Sequence, residues 1–473
     1  MDEIRFGTDG WRGVMGWDFT ADRVKACAQG VARYLTKSGG ASKGLVVGYD
    51  TRFGSDRFAA EVAQVTTANG IPTMLCDRPA PTPVASYNII HQGAGGGVII
   101  TASHNPPEWN GFKYKPDYAG SASPEVVQSL EGEISRALQK KVPSVSLEQA
   151  RSDGLLTDIE PAAPYVAQVN QLMDLSVLRS SGLTVFVDAM YGAGVGYLPG
   201  FLEGGKVRCT ELHGVLNPAF PGIAQPEPVA HNLLALSDAV VANRADVGIA
   251  LDGDADRVGL VDEKGRFIST LHTFALLALY FLEVRGLRGP LVKSITMSSM
   301  VYRLGELYQV PVYETPVGFK YISPVMMGQE ALAAGEESGG YAFRGHIPER
   351  DGILSGLYLL DLLSRTGRSP SELMGKLVEK VGPHFFNRLD VPFRAEQRIE
   401  TKRRMDSQRP ETLAGLRVTG RDEIDGVRFH LQGGAWVLVR FSGTEPLLRI
   451  YAEASSQDQV DRLLEDVRVM VNV

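Results

Sequence analysis

Cysteine is scarce in this chain of 473 residues: Cys27, Cys76 and Cys209 lie far apart and form neither a CxxC pair nor a disulfide framework. A reducing compartment, the cytoplasm, is the expectation that fits. Basic excess is missing too. Lys and Arg number 48 against 55 Asp and Glu, a formal charge of −7, which argues against a nucleic-acid partner. An anionic small molecule stays open, because local basic residues decide that. Long apolar runs are absent: the most apolar stretch, TLHTFALLALYFLEV (270–284), holds His272 and Glu283. It falls short of the roughly 20 residues of a membrane helix, so a buried helix and no membrane partner are expected. MDEIRFGTDG is polar and Gly-rich and does not read as a signal peptide. What remains is 44% hydrophobic and 22% charged residues, enough for several cores. At about 150 residues per domain, the length predicts roughly three domains.

Short apolar runs alternate with helix-like ones. GLVVGYDTR (44–52), IPTMLC (71–76) and GGVIITASHN (96–105) read as strands; RFAAEVAQVTTANG (57–70) reads as a helix closed by glycine. TVFVDAMYGAGV (184–195) and ADVGIALDGDADRVGLVD (245–262) run from strand into Gly-rich or acidic loops. A third block predicts a helix at 270–284, strands in LVKSITMS (291–298) and VPVYETP (310–316), and a helix in QEALAAG (329–335). This rhythm predicts three related α/β units with mostly parallel sheets, whose ligand sites lie beyond the carboxyl ends of strands. The tail, with FNRLDVPF, GVRFHLQ, AWVLVRFSGTEP, LLRIYAEA and the helix-like QDQVDRLLEDVRVMV, predicts a smaller α+β domain. The expected boundaries are 1–150, 151–262, 263–384 and 385–473.

Four clusters carry chemistry. LDGDADR (251–257) spaces Asp252, Asp254 and Asp256 so that three carboxylates converge on one hard cation; oxygen ligands suit Mg²⁺. A calcium loop would need glycine where Arg257 stands, and strands flank the run, so an EF-hand is excluded. PVGFKYI (316–322) with Lys320, and AGEESGG (334–340) after its expected helix, could hydrogen-bond the hydroxyls of a polyol. VRFSGTEP (439–446) joins two strands, and Arg440, Ser442, Gly443 and Thr444 form a nest for a phosphate, with no P-loop Gly-Lys-Thr. RFGTDGWRG (5–13) adds Arg12. The remaining acting group is Ser103 in TASHNPPEWNGFK (101–113), which no G-x-S-x-G frames. His104 is adjacent, and on an extended backbone neighbouring side chains diverge, so it is a poor general base for Ser103. Beside three aspartates and a cation, Ser103 reads better as a phosphoryl carrier, with Lys113 available for charge stabilisation or proton movement.

TASHNPPEWNGFK, DGDADR, GEESGG and RFSGTEP, in this order, resemble the α-D-phosphohexomutase superfamily over essentially the whole chain. The resemblance implies three related α/β domains with mixed sheets and a smaller C-terminal α+β domain around a central cleft. It implies one Mg²⁺ per chain and reversible exchange of the 1- and 6-phosphates of an aldohexose through a 1,6-bisphosphate. Carried over, Ser103 is the phosphoserine and a metal neighbour, and Asp252, Asp254 and Asp256 are the Mg²⁺ ligands. Lys113 and Arg12 sit near the transferred group, and His104 supports the loop. Arg257, Lys293, Gly318, Lys320, Glu336 and Ser338 meet the substrate; Arg440, Ser442, Gly443 and Thr444 grip the phosphate that is not reacting. The intermediate must turn end for end, so the last domain is expected to hinge over the cleft.

GEESGG with VGFK is similar to the glucose-using branch, whose activator and intermediate is glucose 1,6-bisphosphate. Mannose-using relatives more often carry histidine where this chain has Gly340, while FGTDGWRG is similar in form to the glucosamine-using branch. Glucose is therefore the expected sugar, with mannose, glucosamine or broad use as alternatives. A Mg²⁺-dependent phosphatase and a non-catalytic sugar-phosphate sensor are the readings from other classes. A monomer or homodimer acting on small sugar phosphates is expected.

Overall fold

Why the serine, aspartate and GEESGG motifs should share a site follows from one recurring piece of topology. The computed structural model describes residues 3–393, 397–442 and 447–472. Its first sheet contains β1 (Trp11–Val14), β2 (Leu45–Tyr49), β3 (Thr73–Cys76), β4 (Gly96–Ile100), β5 (Trp109–Pro116) and β6 (Leu156–Ile159), in the order β1-β5-β4-β2-β3-β6. The second holds β7 (Thr184–Asp188), β8 (Arg208–Leu212), β9 (Val247–Leu251), β10 (Val258–Val261) and β11 (Phe267–Ile268), ordered β11-β10-β9-β7-β8. The third holds β12 (Leu291–Ser294), β13 (Val312–Thr315), β14 (Ala333–Gly335) and β15 (Tyr341–Phe343), ordered β13-β12-β14-β15. In each, parallel strands with helical crossovers lead into an antiparallel hairpin, β4–β5, β9–β10 or β14–β15, and in the first two sheets a further antiparallel strand, β1 or β11, follows it in the sheet order. The connections of those pairs are residues 101–108, 252–257 and 336–340, the serine, aspartate and GEESGG loops. The sheets are therefore mixed, and the relatedness of the three units is visible in their topology.

The fourth sheet is antiparallel: β16 (Phe385–Pro392), β17 (Thr412–Leu413), β18 (Leu416–Asp422), β19 (Val427–Leu431), β20 (Trp436–Phe441) and β21 (Leu447–Ala454), ordered β16-β21-β20-β19-β18-β17. The amphipathic helix Gln457–Val471 buries Val460, Leu463, Leu464, Val467 and Val471 against it. RFSGTEP falls between β20 and β21, and Gly443, Thr444, Glu445 and Pro446 of it lie outside the described residues.

The strands β2, β4 and β9 are apolar runs buried on both faces, as crossover helices require. The 270–284 stretch is a buried helix, Thr270–Leu279, continuing as a π-wound turn through Val284. One apolar core runs from Ala80 to Val381, so the second and third units share their interior. Two local expectations need correction. QEALAAG is not a helix: the helix is Phe319–Gly328, and Ala333–Gly335 forms β14, paired parallel to Leu291–Lys293. Alanine and leucine favour a helix, but pairing and burial on both faces override that propensity. GEESGG consequently follows a strand, so Glu336 stands at a strand's carboxyl end. The edge strand β6 also joins the first sheet from beyond residue 150.

Candidate active site

Ser103 sits just past β4 in the left-handed region (φ 52°), its amide donating to Thr101 Oγ1 at 2.8 Å. The buried Arg52 guanidinium fixes the loop by donating to the carbonyls of Ser103 (2.6 Å), Asn105 (2.5 Å), Pro106 (2.7 Å) and Trp109 (3.1 Å). Asp50 balances its charge at 3.3 Å. Ser103 Oγ donates to Asp252 Oδ2 at 2.9 Å across the cleft. The left-handed turn corrects the expectation that Ser103 and His104 diverge: His104 Nδ1 lies 3.3 Å from Ser103 Oγ. That expectation assumed extended backbone. Burial, then Arg257, Arg12, Arg52 and Lys113, push His104 well below its ordinary range, so the ring is neutral.

Asp252, Asp254 and Asp256 are fully buried, and one carboxylate oxygen from each falls within 4.8 Å of the others. Thr82 Oγ1 (2.6 Å) and Lys113 Nζ (2.8 Å) donate to Asp254 Oδ2; Lys113 (3.3 Å) and Arg350 (3.1 Å) reach Asp256 Oδ2. Asp252 Oδ1 accepts the Arg257 amide at 3.1 Å. Asp254 Oδ1 and Asp256 Oδ1 have no hydrogen-bond partner. Buried carboxylate oxygens left unpaired are costly unless a cation meets them. Burial, then repulsion from Asp256 and Asp254, pushes Asp252 well above the usual carboxylate range. The donor set therefore fits a hard divalent cation such as Mg²⁺, with the Ser103 oxygen alongside.

A larger ion network ties this loop to the rest of the cleft. Asp9 accepts from Lys113 (3.0 Å), Lys115 (2.9 Å) and Arg350. Lys115 also meets Glu349 at 2.5 Å, and Arg350 meets Glu349 at 3.0 Å and Glu336 at 4.0 Å. Burial disfavours the Lys113 ammonium, but Asp254, Asp9 and Asp256 outweigh it and raise its pKa. Arg257 reaches Glu227 at 2.8 Å, and Arg12 donates to Asn105 Oδ1 at 2.7 Å. Asp9, Arg52, Thr82, Lys115, Glu227, Glu349 and Arg350 escaped the sequence reading. The readable signal was FKYKP, where two lysines alternate with aromatics on a strand and so face one side together.

The other predicted residues divide. Glu336 is buried, and burial, offset by Arg350, pushes its pKa up to about 7. Ser338 is half-buried in the same turn, where Gly339 N donates to Glu336 O at 3.1 Å. Lys320 donates to Gly7 O at 3.4 Å, and Gly318 lies against Thr8, so the VGFK stretch faces the loop that holds Asp9 and leads into β1 with Arg12. Arg440 pairs with Asp425, and Ser442 N donates to Leu447 O at 2.8 Å. Lys293 does not join the Ser103 network. It pairs with Glu314, its register partner on β13, over the Tyr302 ring at 4.7 Å, and Glu314 in turn holds Arg428 of the C-terminal sheet. The strand-end position suggested the cleft; a cross-strand carboxylate turned the ammonium into a domain junction instead. Among the described residues, no helix is long and apolar enough to cross a membrane.

A serine facing a buried carboxylate triad, on hairpins of three topologically repeated α/β units with a fourth antiparallel sheet beside them, is matched by proteins of one class, the phosphohexomutases, which are phosphotransferase-type isomerases. Models of the phosphoglucomutase/phosphomannomutase family match all four parts: alpha/beta/alpha domain I at 3–141, II at 163–265, III at 271–381 and the C-terminal domain at 399–469. The chain belongs to that family, within the α-D-phosphohexomutase superfamily. It is similar to the phosphoglucomutase/phosphomannomutase of Thermococcus kodakarensis, 30% identical over 97% of this chain and 96% of that one. It is also similar to the phosphoglucosamine/phosphogalactosamine mutase of Sulfurisphaera tokodaii, 28% identical over 98% of each. The crystal structure of a phosphomannomutase candidate from Thermus thermophilus superposes with a TM-score of 0.86 at 33% identity, covering 100% of both chains.

Proposed function

We propose that this chain interconverts the 1- and 6-phosphates of aldohexoses through a phosphoserine at Ser103 and a hexose 1,6-bisphosphate, with Mg²⁺ held by Asp252, Asp254 and Asp256, and that it uses more than one sugar. The observation that carries the reading is the 2.9 Å contact of Ser103 Oγ with a carboxylate triad in which two buried oxygens accept no hydrogen bond. When bound, Mg²⁺ supplies polarisation of the phosphoryl oxygens and charge neutralisation. In the first transfer the serine O–P bond breaks as a sugar hydroxyl oxygen takes the phosphoryl group, and the hydroxyl proton finishes on Ser103 Oγ. The bisphosphate turns over, and the second transfer from its other end restores phosphoserine. Arg52 and Thr101 hold the serine loop in place throughout. Lys113 stays charged among its carboxylates, so it stabilises charge developing on the transferring group and does not act as a base. Glu336, pushed up to about 7 by burial, can exchange a proton near neutral pH.

The breadth proposed for the sugar departs from the glucose expectation. The relatives' names span glucose, mannose, glucosamine and galactosamine. The turn itself supports tolerance: a Cβ at Gly340 would lie 2.3 Å from Arg350 Cδ, so the Arg350 stem fills the space and no side chain at 340 reads the sugar. Glucose, mannose and glucosamine 1-phosphates assayed side by side should give kcat/KM values within about tenfold for at least two sugars. A preference of about a thousandfold for one would defeat the breadth, whichever sugar it favoured.

A further inference from the structure

The connection between β18 and β19 folds back on the arginine of the phosphate loop. Gly426 has φ 100°, and a Cβ there would lie 2.2 Å from Val439 O and 2.7 Å from Arg440 Cβ. Only glycine lets this turn lie flat on β20. The close approach presses Asp425 onto Arg440: its Oδ2 accepts from Nε at 3.1 Å and from Nη2 at 3.0 Å. The same oxygen accepts the backbone amide of Val317 at 3.0 Å, one residue before Gly318. One carboxylate oxygen thus joins the arginine of the C-terminal sheet to the VGFK loop of the third unit. Asp425 is 25% exposed and Arg440 9%, so the pair is largely out of water, where a charge-assisted contact orients a guanidinium firmly.

We infer that Asp425 is a positioning residue for Arg440: it sets the guanidinium, leaves the N–H groups that Asp425 and Tyr451 do not engage for the non-reacting phosphate, and makes Arg440 and the sugar loop one unit. This rests on the reading of Arg440 as a phosphate ligand. The interface does not depend on Asp425 alone. Arg388 meets Glu337 of the GEESGG turn at 2.8 Å, and Arg428 meets Glu314 at 2.5 Å, so the C-terminal sheet stays docked without it.

The test is a double-mutant cycle on whichever of the three hexose 1-phosphates the wild type turns over fastest, with Asp425→Ala, Arg440→Ala and the double variant. Melting temperatures are read alongside, and the isosteric Asp425→Asn repeats the cycle should the alanine variant unfold. Arg440→Ala should raise KM about thirtyfold, and Asp425→Ala about tenfold with kcat within about threefold. The double variant should exceed Arg440→Ala by less than about twofold, because Asp425 acts through Arg440. An unchanged KM in Arg440→Ala removes the phosphate reading itself. A raised KM there with wild-type KM in the folded Asp425 variants, or full additivity in the double variant, overturns the positioning role.

Discussion

Replacing Ser103 by alanine should reduce mutase turnover by about 10⁴-fold or more while sugar-phosphate binding stays measurable by calorimetry. The size follows from what the side chain does. Among the described residues, no other hydroxyl is placed as Ser103 Oγ is, 2.9 Å from the Asp252 carboxylate on a loop gripped by Arg52 through four carbonyls. Losing the carrier removes the covalent half of each transfer, which leftover electrostatics cannot restore. The fold should survive, because alanine keeps the backbone bond to Thr101 and the Arg52 contacts, which use main-chain atoms only. A folded Ser103→Ala variant within about tenfold of wild-type turnover would show that the phosphoryl group travels by another route.

Chelation of divalent cations should lower turnover by about a thousandfold, with activity restored by adding Mg²⁺. The same addition should raise the melting temperature, since a cation bound to the native state alone stabilises it by mass action. The reason is electrostatic. Three buried carboxylates share one space, and Asp254 Oδ1 and Asp256 Oδ1 accept no hydrogen bond, Arg257 Nε standing 3.8 Å from the latter. In the metal-free protein Asp252 is pushed well above the usual carboxylate range by burial and its two neighbours. Its folded form therefore holds a proton that the unfolded chain has already lost. By linkage, the contribution of Asp252 to metal-free stability is present at pH below the unfolded carboxylate range and is lost as pH rises through the raised range. Mg²⁺ must displace that proton, so its affinity should climb over the same window. Turnover and melting that ignore both chelator and Mg²⁺ would reject the metal site.

Much of this site was legible because its chemistry is local in sequence. Three aspartates spaced by single residues after a buried strand, and a serine loop after another, announce themselves by spacing and by strand ends. What was not legible depends on partners far apart in the chain. Asp9 matters because Lys113, Lys115 and Arg350 converge on it, and Arg350 is 341 residues away. Arg52 ends a run whose sequence reads as a strand; only the fold supplies its carbonyls. His104 was misjudged because a single left-handed residue, Ser103, reverses the divergence that extended backbone imposes. QEALAAG was misjudged because its composition favours a helix while β12 offers a parallel partner. Lys293 reads as a cleft lysine until Glu314 stands opposite it. In each case the missing information is tertiary, a neighbour brought in by the sheet order.

The central claim, that Ser103 carries the phosphoryl group, is tested most directly by intact mass before and after incubation with glucose 1,6-bisphosphate, followed by peptide mapping. The account predicts a gain of one phosphoryl group per chain, located on Ser103 and lost on adding excess hexose monophosphate, with no gain in Ser103→Ala. A phosphoryl group found on another residue, or none at all in a protein that turns over, would contradict it.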